Sequence, residues 1–275
     1  MWFIINVFFF FAFLCSTAAS LGQRRALSLC NQTDDTRPAV CYASSHPQVF
    51  QRAQAVSRVW YRFEGTLLSH CTAWLVGCEG HVMTNQHCVA SQEEANQLEF
   101  EFLAQGTDCA NECKQGHLPC PGSIHIREPL RVIHTGTSSL DYTLLQLPPV
   151  FRNLSAQLGY LTLRSTGPQV GEPVYIPQHP LGYGKRIAMY DGNMNVSILA
   201  TDVQDFNNCG DNVVTHNGDT ISGTSGSPLL SRLDHTVVAL HHCGGCDEFG
   251  QNGAIAATRI IQDAIQYLPT CAISS

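Results

Sequence analysis

Charge is scarce in this chain, and basic charge scarcer still. Of its 275 residues only 13% are charged, with 15 Lys or Arg against 22 Asp or Glu and a formal net charge of -7. No basic run occurs, which argues against a nucleic-acid partner, because a phosphate backbone calls for a clustered basic footprint. A hydrophobic share of 44% excludes a disordered composition. Internal repeats are absent. Helical periodicity is confined to one place near the C-terminus. Long apolar runs are equally rare: one opens the chain, from Met1 to about Leu14, and is too short to span a bilayer comfortably. Small residues follow it at Ser16-Thr17-Ala18-Ala19-Ser20, where a signal peptidase would cut. Residues 1–19 are therefore expected to be a secretory signal, and the mature protein is expected to be soluble, extracellular and without a membrane partner.

Cysteine, by contrast, is abundant. There are 13. Cys15 lies in the expected signal, and the remaining even set behind it implies a disulfide framework in a secreted protein. Asn31, Asn153 and Asn195 each begin an Asn-x-Ser/Thr triplet that fits a glycosylation acceptor.

Residues 20–46 are polar, hold Arg24-Arg25, and are expected to form an N-terminal extension or a propeptide cut after the paired arginines. From Val49 the texture becomes short apolar runs separated by turn signals. Val56–Phe63, Cys71–Val76, His81–Thr84, Leu98–Leu103, Leu130–Ile133, Tyr142–Leu147, Pro173–Ile176, Arg186–Met189, Val196–Ala200, Val213–His216, Pro228–Leu230 and Val237–His241 read as strands. Strands at this spacing without intervening helices indicate an antiparallel sandwich or barrel. Ala104–Gly122 breaks the rhythm: it has no periodicity, holds Cys109, Cys113 and Cys120, and reads as a surface insertion held by disulfides. The one helix predicted covers residues 258–268, with Ile260, Ile261, Ala264, Ile265 and Leu268 on one face and Pro269 as its stop.

Three short segments carry the chemistry. Gly223-Thr224-Ser225-Gly226-Ser227-Pro228 places a serine between glycines, which allow close backbone approach and unusual backbone angles. Such a loop can aim backbone N–H groups at one point, as an oxyanion hole requires, although an ordinary Ser/Gly turn looks the same in isolation. Met83-Thr84-Asn85-Gln86-His87-Cys88 ends an apolar strand in a histidine, and Asp141-Tyr142-Thr143-Leu144-Leu145 opens a strand with an aspartate. In this order and setting the three resemble the motifs of the chymotrypsin-type, trypsin-like serine proteases over roughly residues 50–268.

The resemblance implies an all-β fold of two antiparallel six-stranded β-barrels with a C-terminal α-helix. The protease domain would cover residues 47–271, with the first barrel at about 50–150 and the second at about 151–257. It implies Ser225 as nucleophile, His87 as general base and acid, and Asp141 as the group that orients the histidine. The N–H groups of Gly223 and Ser225 would form the oxyanion hole, and Cys71 and Cys88 would be disulfide-bonded. No cofactor is needed, the partners are protein or peptide substrates, and a monomer is expected. Thr224 stands where digestive trypsins carry the aspartate that pairs with a freshly cut N-terminus, so that activation switch is expected to be absent. Gly-Thr-Ser-Gly-Ser-Pro and the stretch Val237–Gly245 are more similar to the bacterial-type glutamyl and lysyl endopeptidases.

Substrate preference is the divided point. Asp219 falls where trypsin-like enzymes place the acid at the base of the specificity pocket, which favours cleavage after Arg or Lys. Thr220 and His241 fall where glutamyl endopeptidases hold a substrate carboxylate, and an aspartate there would repel that charge. The first reading is preferred on these residues. Gly244, with Gly245, would let a substrate strand pair with the backbone. His241-His242-Cys243-Gly244-Gly245-Cys246 invites a metal reading, but disulfides account better for its cysteines in a secreted chain, so no metal is expected. The expected protein is a secreted serine endopeptidase. The alternatives are a Glu-specific enzyme of the same fold, or an inactive protease-like binding or adhesion protein.

Overall fold

The alternation of short apolar runs builds two curled antiparallel sheets. The computed structural model describes residues 27–274 apart from 32 and 117; the expected signal and the Arg24-Arg25 pair lie outside the described residues. In the first sheet, seven strands run in the spatial order Ile124–Ile126, Leu98–Phe102, Val56–Phe63, Thr66–Val76, His81–Thr84, Thr143–Gln146 and Arg131–Thr135. Its inward residues include Val59, Trp74, Phe100, Phe102, Leu144 and Tyr142, all buried. Strand-by-strand neighbours pair in antiparallel register, Met83 facing Leu144 and Thr84 facing Thr143.

The second sheet has ten strands. Its main path runs Ile198–Val203, Val213–His216, Asn252–Ala256, Val237–Cys243, Pro228–Ser231, Val174–Gln178, Arg186–Ala188 and Arg37–Pro38. Short pairings of Leu163–Arg164 and Ile273–Ser274 complete it. Val174, Ile176, Val196, Leu229, Val238 and Ala254 form its own apolar cluster. A larger core is continuous from the first sheet to Tyr175, Leu230 and Ile255 of the second. The strand counts exceed six because two- and three-residue segments pair at the edges.

Helices are few. The C-terminal helix is shorter than predicted, Ala257–Ala264. Ile260 and Ala264 are buried, whereas Ile265 is 56% exposed. The reason is local: the N–H groups of Tyr267 and Leu268 both turn back to the Ala264 carbonyl, so the chain tightens before Pro269. A helix not predicted, Pro47–Ala53, begins with Pro at its first turn and buries Val49 and Ala53. Among the described residues no helix is long and apolar enough to cross a membrane.

Residues 27–46 pack against both the second sheet and the insertion. Leu27–Ser28 pairs with Thr220–Ile221, and Arg37–Pro38 pairs with Arg186–Ile187. Cys30 is bonded to Cys246 and Cys41 to Cys109. Two covalent staples and two strand pairings thus hold residues 27–46 against the rest of the fold. The insertion is held the same way, by Cys113–Cys120 within it and by Cys41. Of the three glycosylation triplets, Asn153 and Asn195 are exposed, while the Asn31 amide donates to the carboxylates of Asp35 and Asp191.

Candidate active site

Two adjacent strand ends bring His87 and Asp141 together. His87 follows His81–Thr84, and Asp141 precedes Thr143–Gln146, its direct neighbour in the sheet. The Asn85 amide donates to the Asp141 carbonyl at 2.8 Å and pins the two turns. Asp141 adopts φ 26°, in the left-handed region that aspartate tolerates better than most residues, and its N–H bonds the Thr137 carbonyl at 2.9 Å. Its Oδ1 accepts the backbone N–H of His87 at 2.9 Å, and its Oδ2 lies 2.8 Å from His87 Nδ1. A carboxylate on Nδ1 leaves Nε2 as the basic nitrogen. Burial pushes the Asp141 carboxyl up, but contacts from His242 and His87 outweigh it and hold it at about 2. Asp141 is thus a buried anion behind a half-exposed imidazole.

Ser225 comes from the turn between Thr220–Ile221 and Pro228–Ser231. Gly223 and Gly226 take φ 96° and 86°, angles that disfavour any side chain. A Cβ on Gly226 would lie 2.2 Å from the Thr72 carbonyl oxygen of the first sheet, so only glycine fits. The loop is tied down on all sides: Thr224 N–H to the Ile221 carbonyl at 3.0 Å, Gly226 N–H to the His241 carbonyl at 3.0 Å, and Thr72 N–H to the Ser225 carbonyl at 2.9 Å. Leu181 N–H holds the Ser222 carbonyl at 2.7 Å. A trans peptide then turns the Gly223 N–H the opposite way.

His87, Ser225, Gly223 and Cys71 line one cavity of about 330 Å3. Cys71 is paired with Cys88, beside His87. Thr220, His241 and Gly244 line the same cavity. His241 is buried, and its Nδ1 lies 3.3 Å from Nε2 of His216. Gly218 N–H donates to His216 Nδ1 at 3.2 Å, which puts the ring hydrogen of His216 on Nε2, facing His241. Burial, aided by the neighbouring His242, pushes His216 down to about 3. Burial and the surrounding imidazoles likewise hold His241 well below the ordinary value, so the pair is neutral.

Asp219 does not line the cavity. Its carboxylate accepts the N–H of Cys30 and the N–H of Asp35, both at 2.9 Å. Burial pushes it up to about 6, and Asp34 and Asp191 add to the rise against these two donors. The acid that trypsin-like numbering places under the substrate is here the anchor of the N-terminal segment. That segment supplies a cavity residue the sequence did not reveal, Ser28. The Ser28 hydroxyl accepts N–H groups of Gly245 and Cys246 at 2.9 and 3.0 Å, backing the cavity wall. His242 also lines the cavity and was likewise missed, although its place beside His241 was visible. Cys243 and Cys246, the thiols of the metal reading, are bonded to Cys209 and Cys30.

Two antiparallel sheets with His87 and Asp141 from one and Ser225 from the other define a chymotrypsin-like serine protease fold. Residues 71–240 match the family model described as trypsin-like peptidase domain, and the chain belongs to that family. A curated relative, secreted RxLR effector protein 73 of Plasmopara viticola, is 43% identical over 230 residues, covering 84% of this chain and 54% of the relative. The chain thus spans about half the length of that relative. Among solved structures, the HtrA-type protease AlgW with a tripeptide shares the fold at TM-score 0.53 and 19% identity, over 79% of this chain and 61% of that one. A Glu endopeptidase bound to MPD shares it at TM-score 0.52 and 20% identity, over 78% and 90%.

Proposed function

We propose that this chain is an exported serine endopeptidase that cleaves peptide bonds through an acyl-enzyme on Ser225. The observation that carries the reading is the 2.8 Å contact of His87 Nδ1 with the buried Asp141 carboxylate, in a cavity that His87 shares with Ser225. His87 takes the serine proton through Nε2 and returns it to the leaving amine. Asp141 holds the ring and offsets the imidazolium charge. The N–H groups of Gly223 and Ser225 receive the charge that develops on the carbonyl oxygen. Export is supported by the disulfides and by the relative named as a secreted effector. Wild-type protein is expected to hydrolyse a peptide library that the Ser225→Ala protein leaves intact. A wild type that binds peptides without cutting them would favour the protease-like binding protein instead.

For the cleaved residue we infer a preference for glutamate over Arg or Lys. Engagement of Asp219 by Cys30 and Asp35 removes the acid that supported the basic preference. Thr220 and the His241–His216 pair offer a hydroxyl and a neutral imidazole relay to a substrate carboxylate. His241→Ala is expected to lose cleavage after Glu at least tenfold while Asp219→Asn keeps it. Cleavage after Arg that depends on Asp219 would reverse the assignment.

A further inference from the structure

His242 occupies a place that none of these roles uses. It follows His241 on the strand Val237–Cys243 and is 8% exposed. Its Nδ1 lies 3.4 Å from Asp141 Oδ2, the same oxygen that His87 Nδ1 approaches at 2.8 Å. The other carboxylate oxygen is taken by the His87 backbone N–H. Nε2 of His242 is shut off from solvent and has no hydrogen-bond partner among the described residues. Two imidazoles, one from each sheet, therefore share a single oxygen of Asp141.

Resting on the acyl-transfer reading of His87, we propose that His242 is a positioning residue, a second imidazole on Asp141 that competes with His87 and sets the pH range of catalysis. When His87 takes the serine proton, its imidazolium faces the negative charge of Asp141. A neutral His242 that donates Nδ1–H to Oδ2 draws on that charge. A protonated His242 would oppose it with a positive charge across the same oxygen. Both act in one direction, weakening the support that Asp141 gives to the His87 imidazolium. The sign of the effect is thus independent of the form His242 takes.

The groups facing His242 are consistent with this balance. Asp141 and His87 approach from the first sheet, and His241 and His216 lie on its own sheet. His241 and His216 are kept neutral by burial and face each other at 3.3 Å. The competition at Oδ2 is between His87 and His242.

The test is the pH dependence of kcat/KM on a cleaved peptide, for wild type, His242→Ala and His242→Asn, with kcat and KM separated. Removing the second imidazole is expected to move the half-maximal point of the acid limb upward by about half to one pH unit. The asparagine amide supplies a neutral N–H and is expected to return the limb part of the way. If the alanine variant does not fold, His242→Leu, which fills the space without a donor, is read in its place. A midpoint that stays where it is, with activity lowered equally at every pH, would mean a merely structural role and overturn the proposal, as would a downward shift. A wild type that cleaves nothing brings down the acyl-transfer reading and this proposal together; an active wild type with an unmoved midpoint brings down this one alone.

Discussion

The hydroxyl of Thr72, on the first sheet, donates to the carbonyl oxygen of Gly223, on the second, at 2.9 Å. The same hydroxyl accepts the His179 N–H at 3.1 Å, and the Thr72 N–H holds the Ser225 carbonyl. One buried residue beside the Cys71–Cys88 disulfide thus grips both ends of the nucleophile loop. Thr72→Val keeps the shape and removes the hydroxyl, leaving the Gly223 oxygen and the His179 N–H buried and unpaired. The expected loss is about 1–3 kcal/mol of stability, read from denaturant midpoints, with Thr72→Ser close to wild type. An unchanged midpoint in the valine variant would contradict the role given to this hydroxyl.

Asp219 and Asp141 make opposite contributions to acid stability. The Asp219 carboxyl is raised from 3.8 to about 6 in the fold, so its contribution is fully present below 3.8 and is lost as pH rises through about 6. Integrated over that window the difference is on the order of 3 kcal/mol. Asp141 is lowered from 3.8 to about 2, so its contribution is present above 3.8 and is lost as pH falls through about 2. Stability of Asp219→Asn relative to wild type is therefore expected to improve between pH 4 and pH 7. A relative stability that is flat across that range would show that the segment from Cys30 to Asp35 does not rest on a buried, strained carboxylate.

The Cys30–Cys246 disulfide ties the N-terminal segment to the cavity wall that Ser28 backs. Replacing both cysteines by serine is expected to cost about 2–5 kcal/mol and to raise KM more than it lowers kcat. The wall then loses its support while His87, Asp141 and Ser225 keep theirs. A fall confined to kcat would place the segment in the chemistry rather than in binding.

Asp141→Asn is expected to lower kcat by orders of magnitude, since an amide both loses the charge and favours the wrong tautomer of His87. Folding is expected to persist, because the amide can still accept the His87 backbone N–H. Stopped-time peptide assays together with circular dichroism separate the two effects.

What could be read from the sequence was what is local. The strand ends at Thr84 and Asp141, the glycine-flanked Ser225 and the strand periodicity each reside within a few neighbouring residues. The misreading of Asp219 comes from contact between distant segments. Asp219 looked like a pocket acid because its partners, Cys30 and Asp35, lie far back in the chain. In residues 27–46 the two cysteines hint at staples, but their partners and the two short strand pairings lie in distant segments. The strand Asn252–Ala256 went unseen because Gly253, Ala254 and Ala256 carry little side chain, although the strand is buried between Val213–His216 and Val237–Cys243. His242 was passed over for a similar reason, since its partner Asp141 sits on the other sheet.

The most direct test of the central claim is labelling by a fluorophosphonate probe, which reacts with a serine only when a base and an oxyanion site activate it. Correctly disulfide-bonded wild-type protein is expected to be labelled on Ser225, and Ser225→Ala and His87→Ala proteins are expected to stay unlabelled. A folded wild type that takes up no label, or one labelled equally after Ser225→Ala, would contradict a catalytic role for this loop.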